Sequence, residues 1–259
     1  DYVHLITEIE RRAYADRATH LGDQDFWRVP TKMLLSKEYA KTRVNDINLF
    51  KATNSEIVKA SDANNYESEE TTHYSVIDKE GNAVSVTTTI NSGYGSGITV
   101  TGAGFILNNE MDDFSSKPGV PNMFGLIGNE ANAVEPYKRP LSSMTPTIIL
   151  KDNEPFLILG TPGGSTIITT VLQNILNVTF HNMTIKETVD APRFHSQWMP
   201  DVIDYEKNSL SKRVISDLEK MGHILERRGR IGEANGIMIN HDGFWGGADK
   251  RGENTAIGY

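Results

Sequence analysis

Apolar residues recur at helical spacing at the start of the chain. They lie three or four residues apart and predict an amphipathic helix over residues 4–20 that stops at Gly22. These apolar residues are Leu5, Ile6, Ile9, Ala13 and Tyr14. A second, weaker helix is predicted over residues 30–45, and the polar residues 51–70 predict a loop or linker.

Runs rich in β-branched residues begin at Thr71 and predict three hairpins. In the first, "HYSVID" and "AVSVTTTI" flank "KEGN", where Gly81 and Asn82 are expected to supply the positive φ angles of a tight turn. The second, "TPTIILKDNEPFLILG", is predicted to turn at residues 151–154. The third, "GIMINHDGFWGGA", is predicted to turn at residues 241–243.

Further helices are predicted between these strands. Residues 165–177, "STIITTVLQNILN", are apolar nearly all round, which indicates a helix buried between layers. Thr184 and Glu187 form a capping-box pattern, and residues 211–221 carry an apolar face that stops at Gly222. The mixture of strands and helices after residue 71 predicts an α+β layered sandwich.

Composition excludes several kinds of function. The 259 residues carry a formal charge of −8 without a Lys/Arg cluster, which argues against a nucleic-acid partner. The absence of cysteine excludes disulfides, thiolate metal sites and cysteine nucleophiles. No apolar run reaches the roughly 18 residues of a membrane span, and no signal peptide is present. Because the chain opens without Met and within a helical pattern, we expect the natural protein to extend further toward its N-terminus.

The common cofactor and metal motifs are missing from the sequence. "NSGYGSG" lacks the spacing of a dinucleotide-binding loop, and "GTPGGST" lacks the lysine of a phosphate-binding loop. The seven histidines are scattered, without an H-E-x-x-H motif, and no G-x-S-x-G elbow occurs. The sequence therefore predicts no cofactor and no metal.

Thr71 stands where the acidic linker meets the first strand, and this position has a chemical use. A threonine hydroxyl needs an adjacent base to act as a nucleophile. An N-terminal threonine carries that base as its own α-amino group, with a pKa of about 8, whereas an internal threonine has only an amide. A cut before Thr71 would create such a nucleophile, although threonine is also common at ordinary strand starts.

Six blocks of sequence resemble the γ-glutamyltranspeptidase family. They are "ETTHYSV", "GNAVSVTTTIN", "GAGFILNNEMDDFS", "KRPLSSMTPTI", "GTPGGS" and "APRFHSQW". The resemblance runs from "YADRATHLGD" in the first helix to the C-terminal "AIGY". It implies an α+β fold, the four-layer αββα sandwich of N-terminal-nucleophile hydrolases.

The resemblance also implies that a zymogen cuts itself between Glu70 and Thr71. Residues 1–70 would then be the end of the large subunit, and residues 71–259 the catalytic small subunit. In the family the remainder of the large subunit supplies an arginine that binds the donor carboxylate, so we expect that remainder as a partner. The family resemblance further implies a periplasmic or secreted location.

The roles of the catalytic residues follow from the resemblance, residue by residue. Thr71 corresponds to the nucleophile, and Thr89 to a second threonine whose hydroxyl orients it. Gly163 and Gly164 correspond to the glycines of the oxyanion hole, where a helix N-terminus also favours negative charge.

The substrate-binding residues are assigned in the same way. Glu110 and Asp113 match the carboxylates that bind the donor's α-ammonium, and Asn91 matches a further polar contact. Ser142 and Ser143 match the groups that bind its α-carboxylate. Residues 117–129 match a lid loop, with Phe124 at the gating position where many members carry tyrosine.

The activity implied is transfer of a γ-glutamyl group from glutathione or another γ-glutamyl compound through an ester on Thr71. Water or the amine of an amino acid or dipeptide would accept the group. Two alternatives stay open: a related acylase acting on glutaryl side chains or poly-γ-glutamate, and an unprocessed chain that folds or binds without turnover. Glu110 and Asp113 favour a glutamyl donor over a glutaryl one, because only the former carries an ammonium.

Overall fold

A computed structural model describes residues 1–58 and 71–258 of the chain. The predicted linker up to Glu70 therefore lies largely outside the described residues. The chain divides into two compact units. The first contains the described residues within Asp1–Glu67, Glu110–Ser142 and Phe194–Arg227, and the second those within Ser68–Asn109, Ser143–Arg193 and Arg228–Tyr259.

Six α-helices occur in the described residues. They are α1 (Tyr2–His20), α2 (Thr31–Leu34), α3 (Lys37–Val44), α4 (Thr166–Thr179), α5 (Ile185–Asp190) and α6 (Lys212–Met221). The predicted helix over residues 30–45 is divided into α2 and α3, because Ser36 caps α3 by accepting a hydrogen bond from the Tyr39 amide. The capping box before α5 and the left-handed Gly222 after α6 are confirmed. None of these helices is both long and apolar enough to cross a membrane.

Nine strands form three sheets in the described part of the chain. The strands are β1 (Thr72–Ile77), β2 (Ala83–Thr88), β3 (Thr147–Lys151), β4 (Glu154–Gly160), β5 (Phe194–His195), β6 (Ile203–Tyr205), β7 (Leu225–Arg227), β8 (Asn235–Asn240) and β9 (Gly243–Ala248). Their orders are β1-β2, β3-β4-β8-β9 and β5-β6-β7. All three predicted hairpins are confirmed. Strands β5 to β7 escape prediction because two or three residues are too few to show alternation.

The turn of the first hairpin is held by a side chain rather than by two residues with positive φ. Gly81 has a φ of 86°, as expected, but the expectation for Asn82 is wrong. The carboxylate of Asp78 instead accepts hydrogen bonds from the amides of Glu80 and Asn82, both at 2.9 Å. An aspartate that bonds to its own turn in this way fixes the loop without a second left-handed residue.

Helix α1 buries charged residues where apolar ones were expected. Leu5 and Ala13, two members of the predicted apolar face, are exposed. On the buried side, the Glu8 carboxylate accepts hydrogen bonds from Arg11 and Arg12. Because the Glu8 carboxylate is paired with both guanidinium groups, the helix can pack Glu8, Arg11 and Arg12 inward.

The second unit is layered. In β4, Leu157 and Leu159 point into a core shared with α4 and α5, built with Ile167, Val171, Ile185 and Val189. The opposite face of β4 receives the hairpin β1-β2, since a side chain at Gly160 would collide with the ring of His73. Hairpin, four-stranded sheet and helices are therefore three successive layers, and no residue from 165 to 178 is exposed.

We predict that Leu159→Ala destabilises the protein by about 2–5 kcal/mol, because it opens a cavity beneath α4 and α5. Leu150→Ala is the matched control, since Leu150 lies in the same sheet but is 58% exposed. It should cost less than about 0.5 kcal/mol. Urea unfolding measures both, and equal losses would contradict this assignment of the core.

Candidate active site

Thr71 lies immediately before β1, directly across the hairpin from Thr89. The pairing of Thr72 with Thr88 sets this register. The hydroxyl of Thr71 donates to Oγ1 of Thr89 over 3.3 Å, a long contact, and the Asn91 amide donates to the same oxygen at 2.8 Å. Thr89 is thus fixed by the backbone and can orient the hydroxyl of Thr71.

Strand alternation separates the threonines of this hairpin. Thr72 and Thr88 are exposed, whereas Thr71 and Thr89 are half-buried. Thr87 instead contacts Nδ1 of His73 at 2.8 Å. The resemblance singled out Thr71 and Thr89 from five threonines, and these are the two whose hydroxyls meet.

Asn91 is buried and strained, which indicates a fixed position. Its φ is 77° and its side chain donates to the carbonyl oxygen of Asn109 at 3.1 Å. The side chain of Asn109 in turn accepts from the Ser92 amide at 3.0 Å. Sequence reasoning missed Asn109, although it directly precedes Glu110 in one of the blocks that carry the family resemblance.

Gly163 and Gly164 form the turn that leads into α4. Their φ values are 136° and 54°, and a side chain on Gly163 would lie 2.4 Å from Oγ1 of Thr166. The amide of Thr166 closes the turn by donating to the Gly163 carbonyl at 3.0 Å. Within residues 1–58 and 71–258, neither glycine amide donates a hydrogen bond, so two N–H groups are available at this turn.

Glu110 and Asp113 begin and end a 3₁₀ turn in the first unit and share a hydrogen bond between their side chains. Burial raises the pKa of Asp113 to about 7, and the charge of Glu110 adds to the rise. Burial also raises the pKa of Glu110. Two carboxyl groups that resist ionising together are typical of a site that receives a cation.

Phe124 is buried, with 5% of its surface exposed, inside a loop held by hydrogen bonds. Its amide donates to the Asn122 side chain at 3.0 Å, and its carbonyl accepts from the Gln197 side chain at 3.1 Å. The neighbouring Met123 amide donates to the Asp112 carboxylate at 2.7 Å. Phe124 is thus anchored in this conformation, and its gating role stays a prediction.

The described contacts bring the predicted residues together in two groups. The first group is Thr71, Thr89 and Asn91. The second is Glu110 and Asp113. Ser142 is exposed and Ser143 half-buried in the segment before β3, and their carboxylate-binding role stays a prediction.

The first unit contains a cluster that resembles a metal site. Ligand atoms of His4, Glu8 and His223 lie within 4.8 Å of one another. Nδ1 of His4 and Nε2 of His223 are 2.7 Å apart, a hydrogen-bond distance, and Glu8 already accepts from Arg11 and Arg12. The facing ring nitrogens thus engage each other and the carboxylate engages two guanidinium cations, so we interpret the cluster as structural. Sequence spacing could not reveal it, because the histidines are 219 residues apart.

Comparison with known proteins decides the family. The family model described as gamma-glutamyltranspeptidase matches residues 1–259. The chain belongs to the gamma-glutamyltranspeptidase family. A glutathione hydrolase proenzyme of Escherichia coli (strain K12) is 46% identical over 261 residues, covering 100% of this chain and 45% of the relative. The chain thus spans about half the length of the curated relatives it matches.

Solved structures of the family agree. A gamma-glutamyltranspeptidase mutant of Helicobacter pylori is 56% identical, with a TM-score of 0.68, covering 70% of this chain and 100% of that one. The enzyme of Pseudomonas nitroreducens is 46% identical, with a TM-score of 0.70, covering 73% and 99%. With the mixed sheets and helices described above, these matches confirm the predicted α+β fold of N-terminal-nucleophile hydrolases.

We predict that the Asp113 carboxyl titrates near pH 7. Glu110→Gln should lower its midpoint, because the charge that opposes ionisation is gone. Asp112→Asn should lower it less, because Asp112 is the weakest of the groups that act on Asp113. Carboxyl-carbon NMR, assigned by comparison with Asp113→Asn, measures the midpoint, and a value near 4 in the unmodified protein would contradict the prediction.

Proposed function

We propose that this chain supplies the catalytic centre of a γ-glutamyltransferase that uses glutathione and other γ-glutamyl amides. The nucleophile is Thr71, freed by cleavage of the Glu70–Thr71 bond. The observation that carries the proposal is the contact between the hydroxyls of Thr71 and Thr89 at the start of β1. Membership of the family supports the reaction class.

Processing creates the catalytic base. Hydrolysis of the peptide bond before Thr71 consumes one water and leaves a free α-amino group on this residue. That amine can take the hydroxyl proton and later return it, which the amide of the uncut chain cannot do. The proenzyme names of the curated relatives support processing, as does the autoprocessing described for a solved relative 56% identical to this chain.

Acyl transfer then proceeds in two halves. In the first, Oγ1 of Thr71 bonds to the γ-carbonyl carbon of the donor while its proton passes to the α-amine. The C–N bond of the donor breaks, and the departing amine takes that proton. In the second half, water or an amino-acid or dipeptide amine attacks the ester carbon, and its proton passes to the α-amine. The C–O bond to Thr71 then breaks, and the α-ammonium returns the proton to Oγ1 of Thr71.

Two features support stabilisation of the charges in this reaction. The unengaged amides of Gly163 and Gly164, next to the N-terminus of α4, suit the oxyanion that forms on the carbonyl oxygen. The adjacent carboxyl groups of Glu110 and Asp113 suit the donor's α-ammonium. Asn91, fixed by Asn109, adds a polar group close to the nucleophile.

Binding of the donor's carboxylate requires residues that lie outside this chain. We extend the proposal to a partner, the remainder of the large subunit, and to a periplasmic or secreted location, both of which rest on the family resemblance. The greater length of the curated relatives supports the partner. Ser142 and Ser143 are proposed to complete the carboxylate site.

We predict that the protein expressed from its complete reading frame separates into two chains, the smaller beginning Thr-Thr-His-Tyr. Intact mass should show two species that sum to one water more than the uncut chain. Thr71→Ala should leave one species and release no p-nitroaniline from a γ-glutamyl anilide, because nucleophile and base are both lost. Thr72→Ala is the control and should cut and react normally, since Thr72 is exposed. Normal turnover by Thr71→Ala would refute the proposal.

A second candidate is an acylase acting on donors without an ammonium. An acylase ACY 1 proenzyme of Pseudomonas sp. (strain SE83) is 35% identical over 259 residues and keeps this candidate open. The carboxyl pair at Glu110 and Asp113 argues for the glutamyl donor, because a glutaryl group would bring no ammonium to either acid.

We predict that kcat/KM for a glutamyl anilide exceeds that for a glutaryl anilide by about 100-fold or more. Asp113→Asn should reduce this ratio strongly, since the carboxylate that receives the ammonium is gone. Asp112→Asn is the matched control and should preserve the ratio, because Asp112 is engaged with the Met123 amide. Equal rates for the two donors in the unmodified enzyme would favour the acylase.

A further inference from the structure

Asp113 can hold an ammonium only as a carboxylate, yet its surroundings oppose ionisation. Burial acts most strongly, the charge of Glu110 comes next, and the hydrogen bond with Glu110 also favours the protonated form. Asp112 adds a smaller repulsion. With these groups as its only neighbours, Asp113 would be largely protonated, and therefore neutral, at the pH where the α-amine of a threonine nucleophile acts as a base.

Arg17 is the group that acts in the other direction. It lies in the last turn of α1, is half-buried, and lines with Asp113 a small cleft in the first unit. Ala18, Leu21 and Phe114 also line this cleft. Its charge stabilises the Asp113 carboxylate, and the carboxylate stabilises the guanidinium in return.

The other charged neighbours do not replace this cation. Within the described residues, Glu110, Asp112 and Arg17 are the charged groups that act on Asp113, and Arg17 alone is positive. Tyr14, one turn earlier on α1, is buried, and burial raises the pKa of its hydroxyl, so it carries no charge at neutral pH. Arginine stays protonated even when buried, which makes it a constant source of positive charge here.

We propose that Arg17 is a positioning residue for the donor-binding acid pair: it keeps Asp113 in the carboxylate form that receives the donor's α-ammonium. The inference rests on the proposed function. A residue of α1, in the part of the chain before the predicted cut, would thus control the ionisation of Asp113. Since Arg17 and the ammonium are both cations, this role also implies that Arg17 helps binding only where Asp113 would otherwise be protonated.

The test uses competitive inhibition, because the turnover rate also follows the α-amine of Thr71. The processed enzyme is assayed with a γ-glutamyl anilide, and Ki for L-glutamate is measured from pH 5.5 to 9. In Arg17→Gln the rise of Ki on acidification should begin about one pH unit higher, giving up to about 10-fold weaker inhibition near pH 6. Near pH 9, where Asp113 is ionised in both proteins, Ki should be unchanged or lower.

Controls separate this effect from a general loss of structure. Arg17→Lys keeps the charge and should restore the profile. Arg213→Gln, at a residue whose side chain is 92% exposed, should leave it unchanged. Glutarate, which has both carboxylates of glutamate but no ammonium, should show no such shift in Ki. If Arg17→Gln does not fold, Arg17→Met keeps the aliphatic stem in the cleft and serves in its place.

The outcomes are distinct. No release of p-nitroaniline by the unmodified, processed enzyme refutes the proposed function. Turnover with the same Ki profile in Arg17→Gln and the unmodified enzyme refutes the role of Arg17 and leaves the function intact. If inhibition of Arg17→Gln is weaker by the same factor at every pH, the role of Arg17 is also refuted, because loss of a merely structural contact would have that effect.

Discussion

The antiparallel register of β1 and β2 is the constraint on which the candidate site depends. Pairing Thr72 with Thr88 sets Thr71 opposite Thr89, on the half-buried side of the hairpin. A slip of one strand by one residue would put the two hydroxyls on opposite faces of the hairpin, because side chains alternate along a strand. The Asp78 turn at one end and the buried Asn91 at the other hold this register.

Strand β4 extends the same constraint to the turn at Gly163 and Gly164. Its glycine at position 160 lets the ring of His73 pack against the strand, so that the hairpin lies close on the four-stranded sheet. Burial lowers the pKa of His73 to about 4, and the ring is therefore neutral at pH 7. Directly after β4 the chain turns at Gly163 into α4, so the strand that supports the hairpin also leads to the free amides.

The first unit contains two different arrangements of charged residues. Along α1 the buried acid Glu8 is matched by Arg11 and Arg12, which is what a structural role requires. Glu110 and Asp113 are instead adjacent and alike, and the charge of Arg17 opposes that of Asp113. Adjacent acids that oppose each other's ionisation are typical of a binding site, since a cationic ligand can neutralise their negative charge.

The sequence by itself determined most of the elements and the family. Hairpins, caps and the helices α4 to α6 follow from local patterns, because alternation, capping residues and glycines act over a few neighbouring residues. The blocks of family resemblance nominated Thr71, Thr89, Gly163 and Gly164 together. The buried face of α1 was misjudged, because ion pairs with distant residues can overrule apolar spacing.

Only the tertiary structure decided which groups meet and how they are charged. The contact between the hydroxyls of Thr71 and Thr89 depends on strand pairing, and the role of Asn109 depends on a segment 18 residues away. Arg17 and Asp113 are 96 positions apart in the chain, yet they line one cleft. Burial and neighbouring charge set the ionisation of Asp113, and both are properties of packing that no local pattern of residues contains.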